Sequence, residues 1–170
     1  MWIIIFWLKY LGTLFIIYYL YFTKIQCDLI CAGSTIAYQV SKEKPPQNEP
    51  AYASFAADSK VEELENWIDT LTESLPELKS FILPKGGRTT CQVHMSRSIC
   101  RRAERSLQIL KESEMTRYES GELAAQVQEI EKIGRYLNRL SDLLFTISRF
   151  INVQQGTLDV PYSARKPEKI

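Results

Sequence analysis

Residues 123–153 read LAAQVQEIEKIGRYLNRLSDLLFTISRFINV, and this stretch decides the fold class. It holds no proline, and Leu123, Val127, Ile130, Leu137, Leu140, Leu144, Ile147 and Ile151 recur in a heptad-like three-four pattern. That period puts them on one face of a single long helix. One helix cannot bury such a seam by itself, so the pattern predicts an all-α protein, a helical bundle. A second stripe on the same helix, Arg135, Asn138, Asp142, Phe145 and Arg149, steps the same way, with Arg139 beside it. It is either the wet face or a face turned to another helix. In the second case Asp142 would offset guanidinium charge and Asn138 would offer an amide that both donates and accepts.

The other helix is read from Cys91–Lys111, which lacks Gly and Pro. Arg97, Arg101 and Arg105 lie four apart on one face, with Arg102 and Glu104 between them. Guanidiniums stacked without acids at the same spacing repel one another. They must be solvated, paired from another segment, or closed over an anion, and a polyphosphate suits their bidentate forks. Thr89 or Thr90 is the expected cap of this helix. Cys91 and Cys100 read as small buried residues on it. A polar connection, 112–122, is expected to follow. Upstream, Phe81-Ile82-Leu83-Pro84-Lys85-Gly86-Gly87 is an apolar loop ending in two glycines. Ser59 with Glu62 forms a capping-box pattern. It opens a helix that buries Val61, Leu64, Ile68, Leu71 and Leu75 and is ended by Pro76.

With 170 residues the chain can hold one domain with a real core, and a net charge of +1 excludes a whole-molecule polyanion binder. No nucleic acid partner is expected. Four cysteines without a CxxC pair, and a single histidine, exclude a zinc site, so no metal ligands are assigned. The cysteines are expected to be reduced. The organisation is an apolar segment, 1–23, a helical domain, 24–153, with a mobile loop at 42–58, and a loosely ordered tail, 154–170. Trp2 to Phe22 is apolar apart from Lys9, Gly12 and Thr13, long enough to span a bilayer, and rich in Tyr and Trp. Three readings stay open: a transmembrane or anchoring helix, a gene-model artefact (such a mixture also arises from AT-rich non-coding sequence), or a buried helix of the domain.

Several blocks occur together in order. They are Ile25-Gln26-Cys27-Asp28-Leu29, Leu64-Glu65-x-Trp67-Ile68-Asp69, Leu75-Pro76-x-Leu78-Lys79-x-Phe81-Ile82-Leu83-Pro84-x-Gly86-Gly87, His94, Arg97-x-x-Cys100-Arg101-Arg102-Ala103-Glu104-Arg105 and Tyr136-Leu137-Asn138-Arg139-Leu140-Ser141-Asp142-Leu143-Leu144-Phe145. Over residues 24–152 the chain thereby resembles the ATP:cob(I)alamin, or corrinoid, adenosyltransferases of the trimeric mitochondrial type. The resemblance implies a five-helix bundle, here N-terminally incomplete, forming a homotrimer with sites between subunits. It implies transfer of the 5'-deoxyadenosyl group of ATP to cobalt(I) of a corrinoid, cobalamin, with Mg2+ accompanying ATP. By position it assigns Arg101, Arg102, Ala103, Glu104 and Arg105 to nucleotide binding, and Asn138 to ATP contact. Phe81 falls on the residue that displaces the lower ligand of the corrin, while Arg97 and Asp142 support the site. Catalytic weight is thus expected on Phe81, Arg101 and Asp142. A mitochondrial location follows by the same resemblance, with membrane contact through residues 2–22 if that segment is genuine. The family's T-K-x-G-D-x-G segment, which wraps the ATP phosphates, has no counterpart. The alternative expectation is therefore a non-catalytic relative that binds corrinoid or partner subunits.

Overall fold

The computed structural model describes residues 19, 21–38, 55–117 and 122–163. The chain divides into two units, Met1–Phe55 and Ala56–Ile170. In the first, helix α1 (21–38) keeps Ile25, Asp28, Ala32 and Thr35 buried at steps of three and four. Thr35 also donates its hydroxyl to the Cys31 carbonyl, at 2.9 Å. Most of the apolar segment lies outside the described residues, as do residues 42–54 of the expected mobile loop. Among the described residues no helix is long and apolar enough to cross a membrane.

The second unit holds α2 (Ala57–Thr72), α3 (Arg88–Arg117) and α4 (Glu122–Gln154). Helix α4 packs against both α2 and α3. Its expected seam is correct at Ile130, Leu137, Leu140, Leu144 and Ile147, all buried. A central helix needs a second apolar flank, and Ile133, Tyr136 and Leu143 supply it, each almost wholly buried. Only isolated bridge pairing accompanies the helices among the described residues, so the all-α expectation holds.

The helix ends differ from the sequence reading. α2 begins at Ala57, two residues before Ser59, and its N-cap Ala56 makes no side-chain cap bond. Ser59 instead donates back to the Ala56 carbonyl at 3.3 Å. The helix stops at Thr72 and turns through Glu73, well before Pro76. α3 begins at Arg88, so Thr89 and Thr90 fall inside its first turn and neither precedes it as a cap. Thr90 is buried and spends its hydroxyl on Asn152 Oδ1, at 2.9 Å. α3 also runs to Arg117, taking in half of the expected polar connection. Nothing in 112–117 breaks a helix, since Gly121 is the first such residue.

The tail, 154–170, was expected to be loose, and its residues 164–170 lie outside the described residues. Residues 157–163 instead run back along the loop after α2. Leu83 N–H donates to the Val160 carbonyl at 2.8 Å, and Tyr162 N–H to the Phe81 carbonyl at 2.7 Å. Ile82 and Pro161 are thereby bridged antiparallel.

Candidate functional site

The seam that α3 turns toward α4 changes character along its length. Thr90, Val93, His94 and Cys100 are buried on it, and it continues through Arg101, Glu104, Leu107, Gln108 and Lys111. Long polar side chains cannot close against α4 as aliphatic ones do. A cavity of about 640 Å³ opens there, within the size range of small-molecule sites. Its lining comes from three helices. α2 gives Val61 and Glu65; α3 gives Arg101, Glu104, Arg105 and Lys111 among others; α4 gives Ile130, Glu131, Gly134, Arg135, Asn138 and Arg139. Five cationic side chains thus face three carboxylates.

The polar groups are ordered by charge-assisted bonds. Glu104 uses both oxygens: Arg101 Nη1 donates to Oε2 at 2.7 Å, and Asn138 Nδ2 donates to Oε1 at 2.8 Å. This ties α3 to α4 and fixes the Arg101 rotamer at the cavity wall. Arg139 pairs with Glu65 of α2 at 2.9 Å and with Asp142 at 3.3 Å. Lys111 pairs with Glu131 at 3.2 Å, and Arg135 with Asp58 at 3.0 Å. Arg105 lines the cavity and makes no ion pair among the described residues.

Of the residues singled out from sequence, Arg101, Glu104, Arg105 and Asn138 meet in this cavity. The others do not. Arg97 sits one turn earlier, its guanidinium 5.3 Å over the Phe145 ring and its Nε buried without a partner. Arg102 and Ala103 are exposed on the opposite side of α3. Asp142 was expected to offset the α3 arginines, but its ion pair is with Arg139 of its own helix. Phe81 lies in the loop before α3, 86% exposed. Sequence reasoning missed Glu65, Lys111, Gln108, Glu131 and Gly134. Of these only Glu65 lay inside a motif block.

The thiols also separate. All four cysteines are free, with Cys91 exposed and Cys100 buried, which corrects the expectation of two buried residues. Cys91 Sγ donates to the Gly86 carbonyl at 3.5 Å, and Cys100 Sγ to the Leu137 carbonyl at 3.2 Å. Burial, with Glu104 nearby, pushes the Cys100 thiol up to about 11. His94 moves the other way, below its ordinary 6.5, through burial and then through Arg97, against an upward pull from Asp159.

Fold and site together define an all-α protein with an arginine-lined cavity between packed helices. Residues 18–151 match the cobalamin adenosyltransferase family, and the chain belongs to it. It is 38% identical over 144 residues to the human corrinoid adenosyltransferase MMAB, covering 85% of this chain and 51% of the relative. It is 40% identical over 138 residues to the corrinoid adenosyltransferase of Bacillus subtilis, covering 81% and 60%. The chain therefore spans about half the length of the mammalian relative. Among solved structures it resembles a variant PduO-type ATP:corrinoid adenosyltransferase of Lactobacillus reuteri, complexed with cobalamin and ATP. The TM-score is 0.61 at 27% identity, covering 83% of this chain and 67% of that one.

Proposed function

We propose that this chain carries the arginine and corrin-facing parts of an ATP:corrinoid adenosyltransferase. In that reaction the electron pair of cobalt(I) attacks C5' of ATP. The cobalt–carbon bond forms as the C5'–O bond breaks, and the electrons leave on triphosphate. No protein base is needed. The protein must align two reactants and stabilise charge on the leaving group. The observation that carries this reading is the Arg101–Glu104–Asn138 cluster at the wall of the cavity. It presents a pre-set guanidinium, with Arg105 beside it, to an anion. Arg97 and Asp142 flank this wall and serve as support, through Phe145 and Arg139. Phe81, exposed on an apolar loop, suits a corrin face from which water must be excluded.

Magnesium would enter with the nucleotide. The three carboxylates in the cavity are each committed to a cation, Glu65 to Arg139, Glu104 to Arg101 and Glu131 to Lys111. They do not fit a resident metal site.

Arg102 shares an exposed stripe of α3 with Met95, Ile99 and Ile109. An apolar stripe of this kind suits contact with further copies, and a homotrimer is the assembly that family resemblance favours. Sedimentation is expected to give three chains per particle, with dissociation on Ile99→Asp. A monomer at high concentration contradicts this. A mitochondrial location rests on likeness to the mammalian relatives.

The test of the function is ATP binding to the 170-residue chain. Among the described residues the groups offered to an anion are arginine side chains, so the affinity is expected to be weak, and calorimetry is done at high nucleotide. Arg101→Ala is expected to weaken binding about tenfold or more, the loss of about 1.4 kcal/mol or more. Equal affinity in wild type and variant would remove Arg101 from the site.

A further inference from the structure

The loop bearing Phe81 buries little of its own apolar surface. Leu78, Phe81 and Leu83 are all exposed, so hydrophobic burial does not decide where the loop sits. Polar ties from the C-terminal end of α4 do. Arg149, with a side chain only 8% exposed, donates Nε to Asp159 Oδ2 at 2.7 Å. Its Nη2 donates to the Pro76 carbonyl at 2.7 Å. One guanidinium thus holds the start of the connection and the tail together. One turn later Asn152 donates to the Lys85 carbonyl at 2.9 Å and accepts from Thr90. That closes the end of the loop. Between these anchors the tail backbone pairs with Phe81 and Leu83 on either side of Ile82.

A buried ion pair is seldom the cheapest way to stabilise a fold, because desolvation offsets its attraction. Asp159 is 14% exposed, and its second oxygen is buried without a partner. Such a pair is better explained by what it positions. We propose that the Arg149–Asp159 pair and the tail backbone at 160–162 are a positioning device that holds the Phe81 ring outward for the corrin. None of these residues need touch a substrate. The proposal rests on the reading of Phe81 given above, and its test separates the two.

Asp159→Asn keeps volume and removes the charge. Tyr162→Pro, at an exposed side chain, removes the N–H that donates to the Phe81 carbonyl. Hydrogen exchange is followed at the Leu83 amide and at core amides of α4, and cobalamin binding to the full chain is followed by absorbance. In both variants Leu83 exchange is expected to accelerate about tenfold or more, with the Leu143 amide unchanged. Cobalamin affinity falls alongside. Phe81→Ala is expected to weaken cobalamin binding while leaving Leu83 exchange as in wild type. Unchanged Leu83 exchange in both tail variants overturns the proposal. So does faster exchange with undiminished cobalamin affinity while Phe81→Ala loses it. If Phe81→Ala binds cobalamin as wild type does, the corrin reading of Phe81 fails. The exchange data then still decide whether the tail pins the loop.

Discussion

A single carboxylate, Glu104, sets the geometry of the arginine cluster by satisfying Arg101 and Asn138 at once. Beside it, the raised Cys100 thiol makes a direct prediction. At pH 8 the fraction ionised is about one in a thousand. Cys91 and Cys27 are exposed. Iodoacetamide at that pH is expected to modify both and to leave Cys100 untouched until denaturant is added, as read by peptide mass. Early labelling of Cys100 would contradict its burial and its bond to Leu137. Arg101 and Arg105 were legible in the sequence because they share one helical period on α3, Asn138 because it lies on the polar stripe of α4, and Glu104 through the family blocks. Arg97 belongs to the first of these stripes and Asp142 to the second, yet the structure sets both outside the cavity. Spacing fixes the face of a residue but not its height against a partner helix.

At the level of elements, α3 explains what the sequence could not reveal. Its seam is buried near the start, with Thr90 and His94 among its residues, and charged in the middle, so no continuous apolar period marks it in the sequence. Only packing against α4 turns the charged half into a cavity wall. Two glycines test that packing in opposite directions. Gly134 lines the cavity from α4, and a Cβ there would meet nothing within 4 Å. Gly134→Ala is expected to stabilise the helix by about 0.5–1 kcal/mol in denaturant titrations. Gly86, at φ +156, faces Asn152 Oδ1 at a separation no methyl could share, and Thr90 Cβ at 2.8 Å. Gly86→Ala is expected to destabilise by about 1–3 kcal/mol in the same experiment. A stable Gly86→Ala protein would mean the loop anchor is looser than described. The cap errors at Ser59 and Thr90 have a related cause. A hydroxyl near a helix start has several partners to choose from, and tertiary ones such as Asn152 are invisible in sequence.

For the molecule as a whole, one pH window stands apart because the chain has a single histidine. Folding lowers the proton affinity of His94, which is flanked by Arg97 on its own helix and Asp159 on the tail. Between 6.5 and its lower folded value the unfolded chain holds more proton. Stability is therefore complete above 6.5 and is lost as the pH falls through that window. The midpoint of thermal unfolding is expected to drop there in wild type and to drop less in His94→Gln. A flat wild-type profile would contradict the burial of the ring. The bundle was legible at this scale because the α4 seam demands partners. The returning tail was not, because a few backbone bonds and one ion pair leave no hydrophobic period. Cys91, whose thiol reaches the Gly86 carbonyl, gives the end of the Phe81 loop an optical reporter. With Cys27 and Cys31 replaced, an environment-sensitive fluorophore on Cys91 would change emission when the loop shifts, so its movement could be followed in real time.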